Sequence, residues 1–271
     1  MKINAIMLIK DHVDIVEEAL LYAMKFCHRI YIYDNHSTDG SWELVNEMAS
    51  RFKELVIFGQ TDEPSNRGLL NRIYNRYHNE YTNEDWWYVL HPDELLSESP
   101  QEYLKSALLA NKNAMNVWLA RFYLTNQEVT EFESENVNAS IVKRRKYYSV
   151  NKSEPRFFTN DPVRKWEESS LSRIPAWATS VSKDFVVSRS YPMRTPQQVE
   201  KLANKPMALN DYPCASSLNE YQGDGHFIVG KSVKLRALLT RIRGAFLKKL
   251  GIRVSATANT VKHTVTTTKP V

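Results

Sequence analysis

Short apolar runs take turns with segments of helical apolar period along the first half of the chain. The apolar runs predict strands over residues 3–9, 30–33, 55–58 and 86–90. Between them, apolar residues at helical spacing predict helices over residues 13–27, 44–52 and 69–77. Strand and helix repeated in this order are typical of an α/β fold with a mostly parallel sheet and helices on both faces.

The second half of the chain has a weaker pattern. It predicts a helix over residues 101–110 and strands over 117–124 and 141–148. From residue 149 to 230, Pro, Asn, Ser and aromatic residues mix without a clear period, so long loops with short elements are expected there. The helical period returns between Lys231 and Leu250 and predicts an amphipathic helix.

These patterns divide the chain into three parts. Residues 1–230 are expected to form one domain, with a first half over 1–125 and an irregular second half over 126–230. The amphipathic helix is assigned to residues 231–254. The Thr-rich tail over residues 255–271 is expected to be disordered.

Charge is distributed unevenly along the chain. The net charge is +5, yet residues 231–271 hold ten Lys and Arg and no acidic residue, which leaves the first 230 residues at −5. A leucine-rich helix face edged by Lys and Arg is typical of helices that bind an anionic membrane surface. The alternative is a helix packed on the body with its charges in solvent. The acidic body and the wide apolar face argue against a nucleic-acid partner.

The N-terminus and the cysteines bear on the compartment. The chain starts directly with a predicted strand and lacks both the pattern of a signal peptide and an apolar run of about 18 residues that could span a membrane. Cys27 and Cys214 form no disulfide framework, which suits a reducing compartment. We therefore expect a cytoplasmic protein, and the basic helix adds the expectation of a peripheral position at the inner face of the membrane.

Two polar loops follow predicted strands and carry the candidate chemistry. In residues 31–41, Asp34 and Asn35 end a strand and offer acceptors for a base or a ribose, although the same residues also suit a turn, and Asp39 suits a helix N-cap. In residues 85–96, the pair Asp93 and Glu94 offers carboxylates for a divalent cation, or alternatively a helix cap. Ligands of parallel sheets bind at the carboxyl ends of the strands, where both loops are predicted.

Taken together, these segments resemble the family 2 glycosyltransferases. The likeness is to the branch with a Lys-Asn-Glu-like opening, a Tyr-Asp-Asn-x-Ser-Thr-Asp-Gly loop and an Asp-x-Asp-Glu strand end. Residues 7–12, 33–41 and 85–96 stand in these places, and residues 191–201 are similar to a further Tyr-Pro-x-Arg stretch. The resemblance covers residues 3–96 and 185–205.

The resemblance implies a GT-A-like, Rossmann-type fold and a hexosyltransferase-like activity. It implies an inverting transfer from a nucleotide sugar to a hydroxyl of a saccharide or lipid-linked acceptor, in the synthesis of cell-surface polysaccharide or glycoconjugate. The second, irregular half would then bind the acceptor. By position, the donor nucleotide would be bound by Lys10, Asp11, Asp34, Asn35, Asp39, His91 and Arg194. A divalent cation, Mn²⁺ or Mg²⁺, would be held by Asp93, His91 and Glu94.

The chain departs from the family pattern at several of these positions. His91 replaces the first acid of the metal motif, Asp11-His12 replaces Asn-Glu, and Ser190 replaces a His. An imidazole can bind Mn²⁺ but suits Mg²⁺ poorly, so we assign Asp93 as the principal ligand and His91 as an accessory group. The departures also leave open an alternative function, a catalytically impaired module that binds nucleotide sugars.

An inverting transfer needs a general base that takes the acceptor proton. Glu167, with Glu168 beside it, and Asp224, in a Gly-rich loop with His226, are the candidates. The alternatives are a solvated acidic turn and a simple Gly-rich turn. Arg194 is assigned to the diphosphate because a guanidinium suits that group; a surface salt bridge is the alternative.

Overall fold

The computed structural model describes residues 1–64, 68–124, 128–129, 131–136, 139–145, 147–167, 170, 172–198 and 227–228. The strands of this part of the chain are β1 (Ile3–Ile9), β2 (Arg29–Asp34), β3 (Leu55–Gln60), β4 (Trp86–Leu90), β5 (Glu94–Leu96), β6 (Ala114–Tyr123), β7 (Tyr147–Thr159), β8 (Val181–Ser190) and β9 (Phe227–Ile228). Its α-helices are α1 (Val16–Ala23), α2 (Ser41–Arg51), α3 (Gly68–Tyr77), α4 (Gln101–Leu109) and α5 (Ile141–Arg144), with 3₁₀ turns at His78–Glu80 and Phe132–Ser134.

The strands form one sheet in the order β3-β2-β1-β4-β7-β6-β8-β5, with β9 paired to β7. The first four strands are parallel. Strand β7 then runs antiparallel to both β4 and β6, β8 runs parallel to β6, and β5 runs antiparallel to β8. The predicted α/β class is confirmed. The parallel arrangement holds for β1 to β4, whereas antiparallel pairs join β7 to β4 and β6, and β5 to β8.

Side chains of β1 alternate between two cores, because successive residues of a strand point to opposite faces of the sheet. Ile3, Ala5, Met7 and Ile9 pack into one buried cluster with apolar residues of α1, α2 and α4. Ile6 packs into a second cluster with the apolar face of α3 and several aromatic side chains. Helices therefore cover both faces of the parallel strands, as the sequence predicted.

The predicted strand over 141–148 is wrong in its first part. Residues Ile141–Arg144 form a helical turn, capped by the Ser140 side chain, whose oxygen accepts a hydrogen bond from Val142 N–H. The strand begins at Tyr147 and runs for 13 residues to Thr159. Together with β8, it also corrects the expectation of long loops beyond residue 149.

A β-bulge explains why β7 is hard to recognise from its sequence. Met115 of β6 pairs with Phe157, and the next residue, Asn116, pairs with Pro155, so Arg156 is left over in β7. Proline has no N–H for a regular ladder and is tolerated at such irregularities. A bulge also changes the direction of a side chain, and Arg156 is buried at 1% exposure.

Several sequence-based expectations lie outside the described residues. They are the amphipathic helix over 231–254, the tail over 255–271, Cys214, Glu168, Asp224 and His226. Cys27 is a buried free thiol. None of the helices in the described ranges is long and apolar enough to cross a membrane.

The start of α2 corrects the predicted N-cap by one residue. Gly40, not Asp39, occupies the cap position, with a left-handed φ of 96°. The Asp39 carboxylate still accepts hydrogen bonds from the N–H and hydroxyl of Ser41, the first residue of the helix. The backbone conformation of Gly40 therefore directs the chain from the loop into the helix, and the Asp39 carboxylate accepts the hydrogen bond of the first N–H of the helix.

We predict that Gly40→Ala lowers the free energy of unfolding by about 1–2 kcal/mol, because a side chain at a left-handed position is strained. A methyl group would meet Val13 Cγ2 only at 3.7 Å, an ordinary contact, so crowding adds little. Urea denaturation measures the effect. Gly40→Asn should lose less, since Asn tolerates this conformation. Equal stability of the Ala variant and the wild type would contradict the prediction.

Candidate functional site

Three loops meet at one edge of the sheet because β1 lies between β2 and β4 and all three are parallel. In register, Ile9 lies beside Asp34, and Met7 lies beside Leu90. The chain therefore leaves these strands on the same side. We call residues 10–14 the opening loop, residues 35–40 the second loop and residues 91–94 the acidic turn.

Asp11 joins the opening loop to the second loop. Its backbone has a φ of 55°, a left-handed conformation that Asp tolerates better than most residues. Its N–H donates to Ser37 Oγ at 3.0 Å, and its carboxylate accepts from Thr38 N–H at 2.8 Å. The predicted nucleotide residue Asp11 thus has a clear structural task, and its contact with a ligand stays a prediction.

Asp39 makes a second connection between the same loops. Its carboxylate accepts from Val13 N–H at 2.9 Å as well as from Ser41. Partial burial alone would raise the pKa of Asp39, but the hydrogen bonds from Ser41 and Val13 outweigh burial, and the pKa is lowered. Asp39 is therefore held as a carboxylate that keeps the two loops together.

Asp34 and Asn35, at the end of β2, are both buried. The Asp34 carboxylate accepts from Ser37 N–H and from Gln60 Nε2, at 2.9 and 2.7 Å. The Asn35 amide donates to the carbonyls of Thr61 and Glu63, which fixes its orientation. Asn35 Oδ1 has no hydrogen-bond partner among the described residues. The Asn35 side chain therefore has an acceptor atom available for a ligand.

Lys10 is the basic side chain of the opening loop. Its ammonium donates to the backbone carbonyl of Asn35 at 3.1 Å, while the side chain stays exposed. A cation at this place suits an anionic ligand at the same edge of the sheet. The structure therefore brings Lys10, Asp11, Asp34, Asn35 and Asp39 into one set of connected loops.

The acidic turn gathers the predicted metal ligands. One ligand atom from each of His91, Asp93 and Glu94 lies within 4.8 Å of the others. A hydrogen bond from Glu94 N–H to the His91 carbonyl, 3.1 Å long, closes the turn. His91 is 41% exposed, whereas Glu94 is almost fully buried. Imidazole and carboxylate ligands at this spacing can hold a divalent cation such as Mn²⁺.

Glu94 is part of a buried charge network that the sequence reasoning missed. Its Oε1 accepts from Arg156 Nη2 at 2.8 Å, and the same guanidinium donates to Glu154. Arg173 pairs with Glu154 at 2.8 Å. The bulge in β7 places Arg156 under the acidic turn, and no local sequence signal marks that position.

Burial raises the pKa of Glu94 to about 7. The neighbouring carboxylates of Asp93 and Glu154 contribute to this raised pKa, and the charges of Arg156 and Arg173 oppose it. Within the described residues, Glu94 Oε2 has no hydrogen-bond partner. A buried carboxyl oxygen without a partner is costly, and a cation bound at the turn would offset that cost.

His12, in the opening loop, is influenced by a charge of the acidic turn. Burial lowers the pKa of its imidazole, and the charge of Asp93 counteracts this effect while that of Arg194 adds to it. Its Nδ1 accepts a long 3.4 Å hydrogen bond from Lys10 N–H. Asp93 and Arg194 therefore belong to the electrostatic surroundings of His12, which the sequence did not reveal.

Arg194 and Glu167 have different surroundings. Arg194 is buried and forms a two-pronged ion pair with Asp14 of the opening loop, so the salt bridge considered above is present, with its guanidinium in the interior rather than at the surface. Glu167 is exposed, and its carbonyl accepts from Asn71 Nδ2 in the first turn of α3. The assignment of Glu167 as general base stays a prediction.

Comparisons with known proteins give matches among solved structures alone. No protein-family model and no curated protein matches the sequence. Residues 1–349 of TarS from S. aureus superpose with a TM-score of 0.40 and 9% identity, over 92% of this chain and 81% of that one. The mannosyltransferase PcManGT from Pyrobaculum calidifontis, in complex with GDP-Man and Mn²⁺, superposes with a TM-score of 0.45 and 13% identity, over 91% of this chain and 80% of that one. A putative glucose-1-phosphate thymidylyltransferase from Bacillus anthracis, in complex with a sucrose, superposes with a TM-score of 0.41 and 10% identity, over 82% of this chain and 97% of that one.

Glu94 should make the stability of the protein depend on pH. Its pKa is about 7 in the folded state against an ordinary 4.5, so the folded protein holds a proton between these values that the unfolded chain has lost. Stability contributed by this group therefore falls as the pH rises through that window. Glu94→Gln removes the fall. Relative to wild type, its free energy of unfolding should increase by on the order of 1 kcal/mol from about pH 5 to about pH 8.

Urea denaturation in the presence of EDTA measures this difference without interference from metal. Glu102→Gln, at an exposed position in α4, serves as the control and should keep the pH dependence of the wild type. A difference between Glu94→Gln and wild type that does not change with pH would contradict the prediction.

Proposed function

We propose that the chain is a glycosyltransferase that moves a sugar from a nucleotide-sugar donor to an acceptor hydroxyl with inversion. The main support is the meeting of the opening loop, the second loop and the acidic turn at the carboxyl edge of parallel strands. This edge is where α/β sheets bind nucleotides. The resemblance of the same three segments to family 2 glycosyltransferases supports the donor class.

In this proposal the two connected loops bind the nucleotide. Lys10 offers a cation to the phosphates, and Asn35 Oδ1 offers a buried acceptor at the end of β2. Asp11, Asp34 and Asp39 fix the shape of the loops through hydrogen bonds to backbone N–H groups. Loops built in this way lose little conformational freedom when the donor binds.

A divalent cation fits the acidic turn. Asp93 is proposed as the principal ligand, with His91 and the unpartnered Oε2 of Glu94 completing the set. A bound cation would neutralise the charge that develops on the departing diphosphate. The imidazole of His91 favours Mn²⁺ over Mg²⁺, and burial keeps Glu94 in a fixed place beside Arg156.

The acceptor proton requires a base, for which Glu167 and Asp224 are proposed. Glu167 presents an exposed carboxylate on a backbone held by Asn71. The acceptor is proposed to be a saccharide or a lipid-linked saccharide, as in the synthesis of cell-surface polysaccharide. The basic, leucine-rich sequence over 231–254 supports a lipid-linked acceptor because it suits the surface of an anionic membrane.

Asp93→Ala should reduce cation-stimulated sugar transfer by about 100-fold or more, because it removes the main carboxylate from the metal site. A thermal-shift screen of nucleotide sugars with Mn²⁺ and with Mg²⁺ first identifies the donor, since a ligand of the folded state raises its stability. Transfer or hydrolysis of that donor then measures the activity. The His91→Asp variant should shift the preference from Mn²⁺ towards Mg²⁺.

Asp184→Ala, at an exposed position in β8, is the matched control and should keep wild-type activity. Full cation-stimulated activity of Asp93→Ala would refute the metal assignment. Donor binding without turnover in the wild type would instead identify a catalytically impaired binding module.

The full chain should bind vesicles that contain anionic lipid at low salt and be released at high salt. Each basic residue near such a surface contributes on the order of 1 kcal/mol. Flotation with anionic and with neutral vesicles measures binding, and a double substitution, Arg236→Glu with Arg243→Glu, should weaken it. No flotation with anionic vesicles at low salt would end the proposal of a membrane partner.

A further inference from the structure

Each of the three nitrogens of the Arg194 guanidinium donates a hydrogen bond within the protein. Nε and Nη2 donate to the two carboxylate oxygens of Asp14, at 2.7 and 2.8 Å. Nη1 donates to the carbonyl of Tyr191 at 2.7 Å. Arg194 is 3% exposed, whereas Asp14 is 35% exposed. A two-pronged pair with one charge buried holds both partners in a defined geometry.

Through Tyr191, Arg194 is connected to the acidic turn. Tyr191 N–H donates to the carbonyl of Asp93 at 2.9 Å. The preceding residue, Ser190, pairs with Glu94 in the β5–β8 ladder. Tyr191 is fully buried, and its ring stacks on Phe122 with 4.9 Å between centroids. The segment that carries Arg194 is therefore joined directly to the acidic turn.

The backbone of Arg194 is also fixed. Its N–H donates to Gln198 Oε1 at 2.7 Å, and its carbonyl accepts from Arg145 Nη2 at 2.7 Å. Arg145 is itself buried and paired with Glu135. Contact with a diphosphate would require the buried Arg194 side chain to become accessible, which its pair with Asp14 and its fixed backbone oppose. Leaving the buried guanidinium without its carboxylate partner would be unfavourable.

We propose that Arg194 is a positioning residue that holds the opening loop at a fixed distance from the acidic turn. Asp14 lies at the end of the opening loop, and Tyr191 carries the connection to Asp93. The loop that binds the nucleotide and the turn that binds the cation are thereby kept in one arrangement. The consequence for donor binding rests on the proposed function, whereas the mechanical connection does not.

This role differs from direct contact with the diphosphate in what Asp14 does. If Arg194 bound the diphosphate, removal of Asp14 would free the guanidinium for the donor and would keep or strengthen binding. If Arg194 positions the two segments, removal of Asp14 disturbs the site as much as a change of Arg194 itself. Asp14 is partly exposed, so Asp14→Ala is the milder substitution for the folded state.

The test compares the wild type with Asp14→Ala, Arg194→Lys and the double variant. Hydrogen exchange followed by mass spectrometry should show faster exchange of the Tyr191 amide and of the opening-loop amides in Asp14→Ala. With the donor, the KM should rise about tenfold or more in each single variant, with a smaller change in kcat. The double variant should be no worse than the more affected single variant, because both changes break one interaction.

Glu102→Ala, which removes an exposed partner of Lys105 in α4, is the control and should leave both measurements unchanged. Unchanged exchange at Tyr191 in Asp14→Ala would overturn the proposal, and so would a donor KM that is raised by Arg194→Lys but not by Asp14→Ala. If the wild type binds no nucleotide sugar, the proposed function fails, and the exchange measurement alone decides the positioning role.

Discussion

The parallel pairing of β1 with both β2 and β4 is the constraint on which the rest of the site depends. Backbone hydrogen bonds on both sides of β1 fix where three neighbouring strands end, and hence where their loops begin. The two cores hold this central strand from both faces. Loops of polar residues can then be shaped by their own hydrogen bonds, because the backbone ladders hold the strands that carry them in register.

Much of the first half could be predicted from sequence because its signals are local. Strand β4 has the predicted bounds, and helix α3 covers the predicted residues 69–77 with Gly68 added at its start. Both were predictable because an apolar run and a helical period are each contained within one segment of the chain. Strand β7 was predicted only at its start, where the predicted strand over 141–148 overlaps it at residues 147–148. The rest was missed because its pairing depends on the distant β6 and on a bulge that interrupts its alternation. The burial of Arg156 beneath Glu94 follows from that bulge, and only the tertiary structure shows it.

The acidic residues of the candidate site fall into two groups with different physical tasks. Asp11, Asp34 and Asp39 accept hydrogen bonds from backbone and side-chain donors of the loops, so much of the familiar loop pattern reflects the building of a turn. Asp93 and Glu94 stand apart because they belong to a cluster of like charges next to His91. A sequence motif does not separate these tasks, whereas hydrogen-bond partners and burial do.

The bulge at Arg156 has a consequence for the register of the whole second half. A strand that slips by one residue moves every side chain to the opposite face. In β7 such a slip would take Phe157 and Phe158 out of the two different cores that they occupy. It would also leave the buried carboxyl groups of Glu94 and Glu154 without the Arg156 guanidinium. Hydrophobic packing and charge neutralisation thus require the same register between β6 and β7. The extra residue at the bulge fixes that register in the part of the sheet beside the acidic turn.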